Sequence, residues 1–159
     1  MDELLSILKK NALEKPEDIA RMLNLSIDDV KARIAEYEKQ GVIRGYQAVV
    51  DEDQLELNRV TAVIEVKVTP EREGGFNRVA SRISRFSEVQ SVYLMSGAYD
   101  LLLFVAGNNL KDVALFVSEK LATIQGVIST STHFMLKTYK QHGVLMETSH
   151  EDERLQITP

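Results

Sequence analysis

His133, His142 and His150 are the three imidazoles of this 159-residue chain, and no cysteine accompanies them. No two of them stand at a metal-ligand spacing, and without cysteine neither a thiolate metal site nor a disulfide can form. Only His133 falls in the expected folded core, where a lone strand histidine is ordinarily structural or exposed. Glycine-rich phosphate loops and nucleophile motifs are also missing from the sequence. The residues with chemical capacity therefore point to recognition rather than covalent catalysis. Two groups stand out. One is the carboxylate of Asp100 in SVYLMSGAYDLLLFVAG, set between apolar runs at 92–95 and 101–105. Aspartate is disfavoured in strands and costly to bury without partners. Gly97 and Ala98 occupy the place of a two-residue type II′ hairpin turn, which accounts for the glycine but not for the acid. The other group is Lys31, Lys39 and Arg44, cations spread over a predicted helix and the segment after it, suited to phosphates and base edges.

The composition bounds what can position these groups. Hydrophobic residues make up 44% and charged residues 27%, the balance of a soluble globular chain with one ordinary domain or two small ones. No apolar stretch approaches a membrane span, and Asp2 and Glu3 after Met1 are the reverse of a basic leader. Together with the absence of cysteine this sets the expectation of a cytoplasmic protein. The net charge of −5 counts against nucleic-acid binding wherever else it is suggested.

Residues 1–40 read as three helices. Leu4, Leu5, Ile7, Leu8 and Ala12 follow helical spacing. Pro16, with Glu17 and Asp18, suits the first turn of a second, short helix whose apolar face is Ile19, Ala20 and Leu23. Asn24 is placed to end it. Ser26 is placed to cap a third helix, in a capping box with Asp29 in the usual Glu or Gln position. Val30, Ile34 and Tyr37 share one face of that helix, and Gly41 closes it. A short helix, a tight turn and a longer helix make a helix-turn-helix, though a plain three-helix bundle fits the same spacing. The next segment, GVIRGYQAVVD, reads as a strand in the position of a wing, with Arg44 and Tyr46 near a DNA backbone. Asp28, Lys31, Ala32, Ala35 and Lys39 turn away from the buried face, and the two alanines would let the helix approach base edges. Residues 1–50 hold eight basic and nine acidic side chains, so specific binding would need well-placed cations and more than one copy.

After the acidic linker DEDQLELN (51–58) the pattern changes to period two. Val60, Ala62, Ile64, Val66 and Val68 alternate with Glu65 and Lys67, as in a half-buried strand. Pro70 is expected to open a helix carrying Phe76, Val79, Ala80, Ile83 and Phe86. Strands follow at about 89–96 and 99–106. Asn109 caps a further helix with Val113, Phe116, Val117 and Leu121, and a last strand runs from about Val127 to Tyr139. This β-α-β-β-α-β order predicts a ferredoxin-like sandwich over 59–142, an α+β fold with helices on one sheet face. The other face then invites a second copy. Residues 143–159 form an acidic tail.

The whole resembles the Lrp/AsnC, or feast/famine, family of transcriptional regulators from residue 2 to about 142. The run LNLSIDDVKARIAEYEKQGVIRGYQAVVD is similar to the family's recognition helix and wing, through Ser26, Val30, Arg33, Gly41, Val42 and Ile43. SGAYDLLL resembles its turn motif, and QGVISTSTHFML its final strand with alternating threonines. Tyr37 stands where the family usually has leucine. The resemblance implies a homodimer, often assembled into octamers, that binds double-stranded DNA through its N-terminal domains. Here Ser26, Ile27, Asp28, Lys31, Ala32, Arg33, Lys39, Arg44 and Tyr46 would meet the DNA. It implies no cofactor, but a small effector, usually an amino acid, bound at contacts of the C-terminal domain. Gly97, Tyr99 and Asp100 would line that pocket, with Gln125, Thr130 and Thr132 as polar contacts; Asp100 would meet an ammonium group or donors from a neighbouring chain. Asp100 also fits a turn carboxylate satisfied by backbone amides, and the threonines fit plain strand residues. Two rival functions share the fold. One is a sensor module without useful DNA binding. The other is an enzyme resembling siroheme decarboxylases, which would need more cationic and histidine groups than this core supplies.

Overall fold

The computed structural model describes residues 2–55, 59–70 and 75–146. The chain divides after Val50 into two compact units.

The first unit holds α1 (Glu3–Lys10), α2 (Pro16–Leu23) and α3 (Ile27–Lys39). Asp2 caps α1, its side chain accepting from Leu4 N–H. α2 ends at Asn24, whose left-handed backbone (φ 52°, ψ 47°) turns the chain directly towards α3. Ser26 then accepts from Asp29 N–H at 3.0 Å, the first half of the expected capping box; the shorter aspartate closes it on the Ser26 hydroxyl, which donates to its carboxylate at 2.7 Å, in place of the backbone N–H. Leu4, Leu8, Ile19, Ala20 and Val30 make the core, with Ile34 and Tyr37 packed against it.

The expected wing strand is not paired. Residues 44–50 run without ladder partners in this structure, because a strand needs a neighbouring edge and none is offered among the described residues of this unit. The segment is instead tied back to α3. Val42 and Ile43 N–H groups donate to Tyr37 O, and the Tyr46 hydroxyl donates to Glu38 Oε1 at 2.9 Å.

The second unit opens with a 3₁₀ turn (Glu52–Leu55) and continues as β1 (Val60–Val68), α4 (Asn77–Ile83), β2 (Val89–Leu94), β3 (Leu101–Gly107), α5 (Leu110–Leu115) and β4 (Val127–Phe134). α5 runs on into a π-helical turn, Phe116–Leu121. The sheet order is β2-β3-β1-β4, with all neighbours antiparallel, which is the ferredoxin-like arrangement expected. Ala62, Ile64, Val66 and Val68 lie buried against Val79 and Ile83 of α4 and Val113 of α5, as their alternation predicts. A short hairpin, β5 (Lys140–Gln141) and β6 (Val144–Leu145), follows.

Three element boundaries differ from expectation. α4 begins at Asn77, not at Pro70, and residues 71–74 lie outside the described residues. Pro70 is also compatible with simply leaving β1, since it has no N–H to give a ladder. β4 stops at Phe134 rather than Tyr139: Met135 N–H makes its last bond to Thr61 O, where its partner β1 runs out. The turn between β2 and β3 is longer than a two-residue type II′ turn. Met95 N–H closes on Asp100 O at 2.8 Å, leaving Ser96–Tyr99 as a four-residue loop with Gly97 at φ +150°. Of the expected linker and tail, 56–58 and 147–159 fall outside the described residues.

Candidate functional site

The outward face of α3 is the first candidate surface. Asp28, Ala32, Ala35 and Lys39 recur at i, i+4, i+7 and i+11, and all four are exposed. They lie opposite buried Val30 and half-buried Ile34 and Tyr37, while Lys31 is exposed on one flank. Ser26 and Ile27 are exposed at the helix start, beside a groove shared with Glu17, Arg21 and Asn24 of α2 and its cap. Arg21 is itself paired with Asp18.

Arg33 sits on the other flank. Its charge acts on Asp2 and Tyr37, which locates the guanidinium near the start of α1. There the Tyr37 hydroxyl donates to the Asp2 carboxylate. That bond, more than any other influence, holds the Asp2 carboxyl below its usual range and raises the Tyr37 hydroxyl above its own. Sequence reading missed this link, because Asp2 and Tyr37 are 35 positions apart and no periodicity connects them. It gives the unusual tyrosine a job that leucine could not do.

Arg44 folds over the end of α3. Gly41 is held at φ +69°, and a Cβ there would lie 3.0 Å from the Arg44 guanidinium carbon. Glycine therefore supplies both the left-handed backbone and the room for a cation at the negative end of the helix dipole. Tyr46 is 53% exposed. Desolvation of the hydroxyl and then the bond to Glu38 raise its pKa, and that bond commits its donor to α3. The ring, not the hydroxyl, is what Tyr46 offers outward.

The second candidate surface is one end of the C-terminal sheet. The Asp100 N–H donates to Val66 O at 3.0 Å, and its carboxylate oxygen Oδ2 accepts from Val68 N–H at 2.8 Å. Asp100 is half-buried, so this bond satisfies a group that would otherwise be costly in an apolar setting. On the opposite side of β1, Thr69 N–H donates to Gly126 O at 2.8 Å, just after exposed Gln125. The Gly97–Asp100 loop and the Gln125–Gly126 turn thus flank the end of β1 from either side. Gly97 is exposed and Tyr99 half-buried beside them.

Thr130 and Thr132 lie further along. They pair with Val66 and Ile64, so they share the helix-covered side of the sheet and are half-buried there. Gln125 also lines a small recess with Arg78, Val79, Arg82 and Ile124. The two arginines are one turn apart on α4, a spacing visible in the sequence but not singled out there.

The opposite sheet face carries Val63, Glu65, Tyr93, Leu102, Phe104 and His133. Tyr93 and Phe104 meet edge to face at 6.0 Å, and Glu65 Oε1 is 3.5 Å from His133 Nε2. No group of three or more metal-ligating side chains is found among the described residues.

Comparison with known proteins agrees with this anatomy. The model of the Lrp/AsnC ligand binding domain matches residues 61–145, and a winged helix-turn-helix DNA-binding model matches residues 3–44. The chain is 48% identical over 158 residues to the uncharacterized HTH-type transcriptional regulator YugG of Bacillus subtilis, covering 99% of this chain and 95% of that one. Its fold is similar to the crystal structure of MtbAldR, at 24% identity and TM-score 0.75, covering 89% of this chain and 97% of that one. It is also similar to a transcriptional regulator of Neisseria meningitidis in complex with L-methionine, at 23% identity and TM-score 0.69, covering 89% and 93%. With both halves matched in order and a full-length relative at such identity, the chain belongs to the Lrp/AsnC family of transcriptional regulators.

Proposed function

We propose that this protein is an amino-acid-responsive, DNA-binding regulator without enzymatic activity, working in the cytoplasm as a homo-oligomer. The observation that carries the DNA half is the capped, fully exposed outward face of α3, small in its middle and cationic at its flank and far end. Residues 1–50 act as the DNA-binding domain, 51–58 as linker, 59–142 as the effector and assembly domain, and 143–159 as tail. On this reading Ser26, Ile27, Asp28, Lys31, Ala32 and Lys39 enter the major groove, while Arg33, Arg44 and the Tyr46 ring lie towards the backbone.

The effector half rests on the end of β1. Gly97, Tyr99, Asp100 and Gln125 would line a pocket completed by another subunit, with Thr130 and Thr132 behind them. The free side of the Asp100 carboxylate suits an ammonium group. The L-methionine complex of the Neisseria protein supports an amino acid as the ligand class. The open sheet face, half apolar and with Glu65 beside His133, suits a self-complementary contact between two copies.

The test is fluorescence anisotropy of the full chain on duplex DNA from upstream of its own gene, against a scrambled duplex, across a salt series. The reading expects binding that prefers the upstream duplex and weakens with salt. Equal binding to both duplexes would move the function to a sensor module, as the balanced charge of residues 1–50 would then have foretold.

A further inference from the structure

Two adjacent aspartates open the recognition helix, and the structure uses only one of them internally. Asp29 is engaged with the cap: its N–H donates to the Ser26 hydroxyl oxygen and its carboxylate accepts from that hydroxyl. Asp28 is exposed, and its carboxylate takes part in no hydrogen bond or ion pair among the described residues. It stands at the N-terminal end of the outward stripe that continues through Ala32 and Ala35 to Lys39. In a helix-turn-helix this first part of the second helix is what meets base edges.

A carboxylate facing DNA is repelled by every phosphate and accepts hydrogen bonds only. The groove donors open to it are the cytosine N4 amino group and the adenine N6 amino group. Adenine sets the N7 acceptor beside its donor, and a carboxylate meeting that edge faces a lone pair. Cytosine presents its amino donor without such a neighbour. Aspartate is short, so the helix must come close; the methyl side chains of Ala32 and Ala35 along the same face allow that approach. Lys39 lies about 16 Å further along the axis, far enough to reach a phosphate without neutralising Asp28.

We propose that Asp28 is a specificity residue that reads a cytosine in each half-site by accepting from its N4 amino group. This rests on the DNA-binding reading of α3 given above. The plain alternative is that Asp28 only favours the positive end of the helix dipole.

The test selects binding sequences from a randomised duplex pool with the full chain as wild type, Asp28→Asn and Asp28→Ala, and then measures single-base-pair variants of the selected site. Wild type should demand C·G at one position per half-site, with about a tenfold loss for other pairs. Asp28→Asn should shift that position towards A·T, since asparagine matches the adenine N6/N7 edge. Asp28→Ala should lose preference at that position alone. Variants that select the wild-type site unchanged, or bind all duplexes tighter by one common factor, would overturn the assignment while leaving the regulator reading intact. A wild type that selects no sequence would remove the DNA-binding reading and this proposal with it.

Discussion

Asp100→Ala removes the acceptor that holds the Val68 N–H at 2.8 Å, across a separation of 32 residues. A hydrogen bond to an ionised group is worth roughly 1.5–3 kcal/mol, and the half-buried setting of Asp100 argues for the lower end. A loss of about 1.5 kcal/mol lowers the melting temperature of a domain near a hundred residues by about 6 °C. Asp100→Asn keeps a neutral acceptor in the same place, so it should lose about half as much. The charge is gone in both variants. If the free side of the carboxylate meets an ammonium group, Asn should blunt the effector response nearly as fully as Ala while melting much closer to wild type. Differential scanning calorimetry of the full chain at one fixed protein concentration reads the stability, since assembly makes melting concentration-dependent. Amino-acid titration of the same samples reads the response. An Asp100→Ala protein that melts with the wild type would refute the stability argument. An Asp100→Asn protein that titrates like wild type would take the carboxylate out of the pocket.

Lys31→Ala should weaken binding to all DNA sequences about equally and reduce the salt slope by about one, with assembly unchanged by light scattering. Tyr37→Phe tests the link to Asp2. The carboxyl pKa is depressed in the fold, so its contribution is present above the ordinary carboxylate range near 4 and is lost as pH falls through the lower folded value. The raised Tyr37 pKa adds the mirror limit: its contribution is present below pH about 10 and is lost as pH rises through the higher folded value. Melting curves of wild type and Tyr37→Phe should therefore differ at neutral pH and converge towards strong acid; a pH-independent gap would contradict the pairing. Phe104→Glu, on the open sheet face beside Tyr93, should dissociate the assembly in size-exclusion chromatography with light scattering, because it sets a charge in the expected contact. Unaltered mass would mean that copies meet elsewhere.

The sequence made the regular elements legible wherever burial has a period. Ala62, Ile64, Val66 and Val68 alternate and are all buried; Val30, Ile34 and Tyr37 repeat helically and face the core. The caps were legible because they act locally: Ser26 and Asn109 accept from amides three residues on, and Asn24 takes a left-handed backbone that gives its own N–H to Ala20 O. What stayed hidden depends on distant partners. The loop at Ser96–Tyr99 differs from a two-residue turn because Asp100 is captured by the Val68 amide on the neighbouring strand. β4 ends where β1 ends, a limit written in pairing and not in the residues 135–139 themselves. The wing segment carries strand-like residues, yet Val42, Val49 and Val50 remain exposed because no edge among the described residues meets them. Of the candidate site, the outward stripe of α3 was readable from the helical wheel. The commitments of Tyr46 to Glu38 and of Arg44 to the space over Gly41 were not, since each needs the chain's return path after the helix.

The central claim is that an amino acid bound by the C-terminal domain and DNA bound by the N-terminal domain act on one equilibrium. Reciprocal linkage tests it most directly: the DNA affinity is measured with and without an amino acid that binds the chain, and that amino acid's affinity is measured with and without DNA. Both ratios must equal the same factor, and couplings of this kind are typically about 5–150-fold. A factor well away from one, found in both directions, is the predicted result. An amino acid that binds with the same affinity whether or not DNA is present would contradict the account.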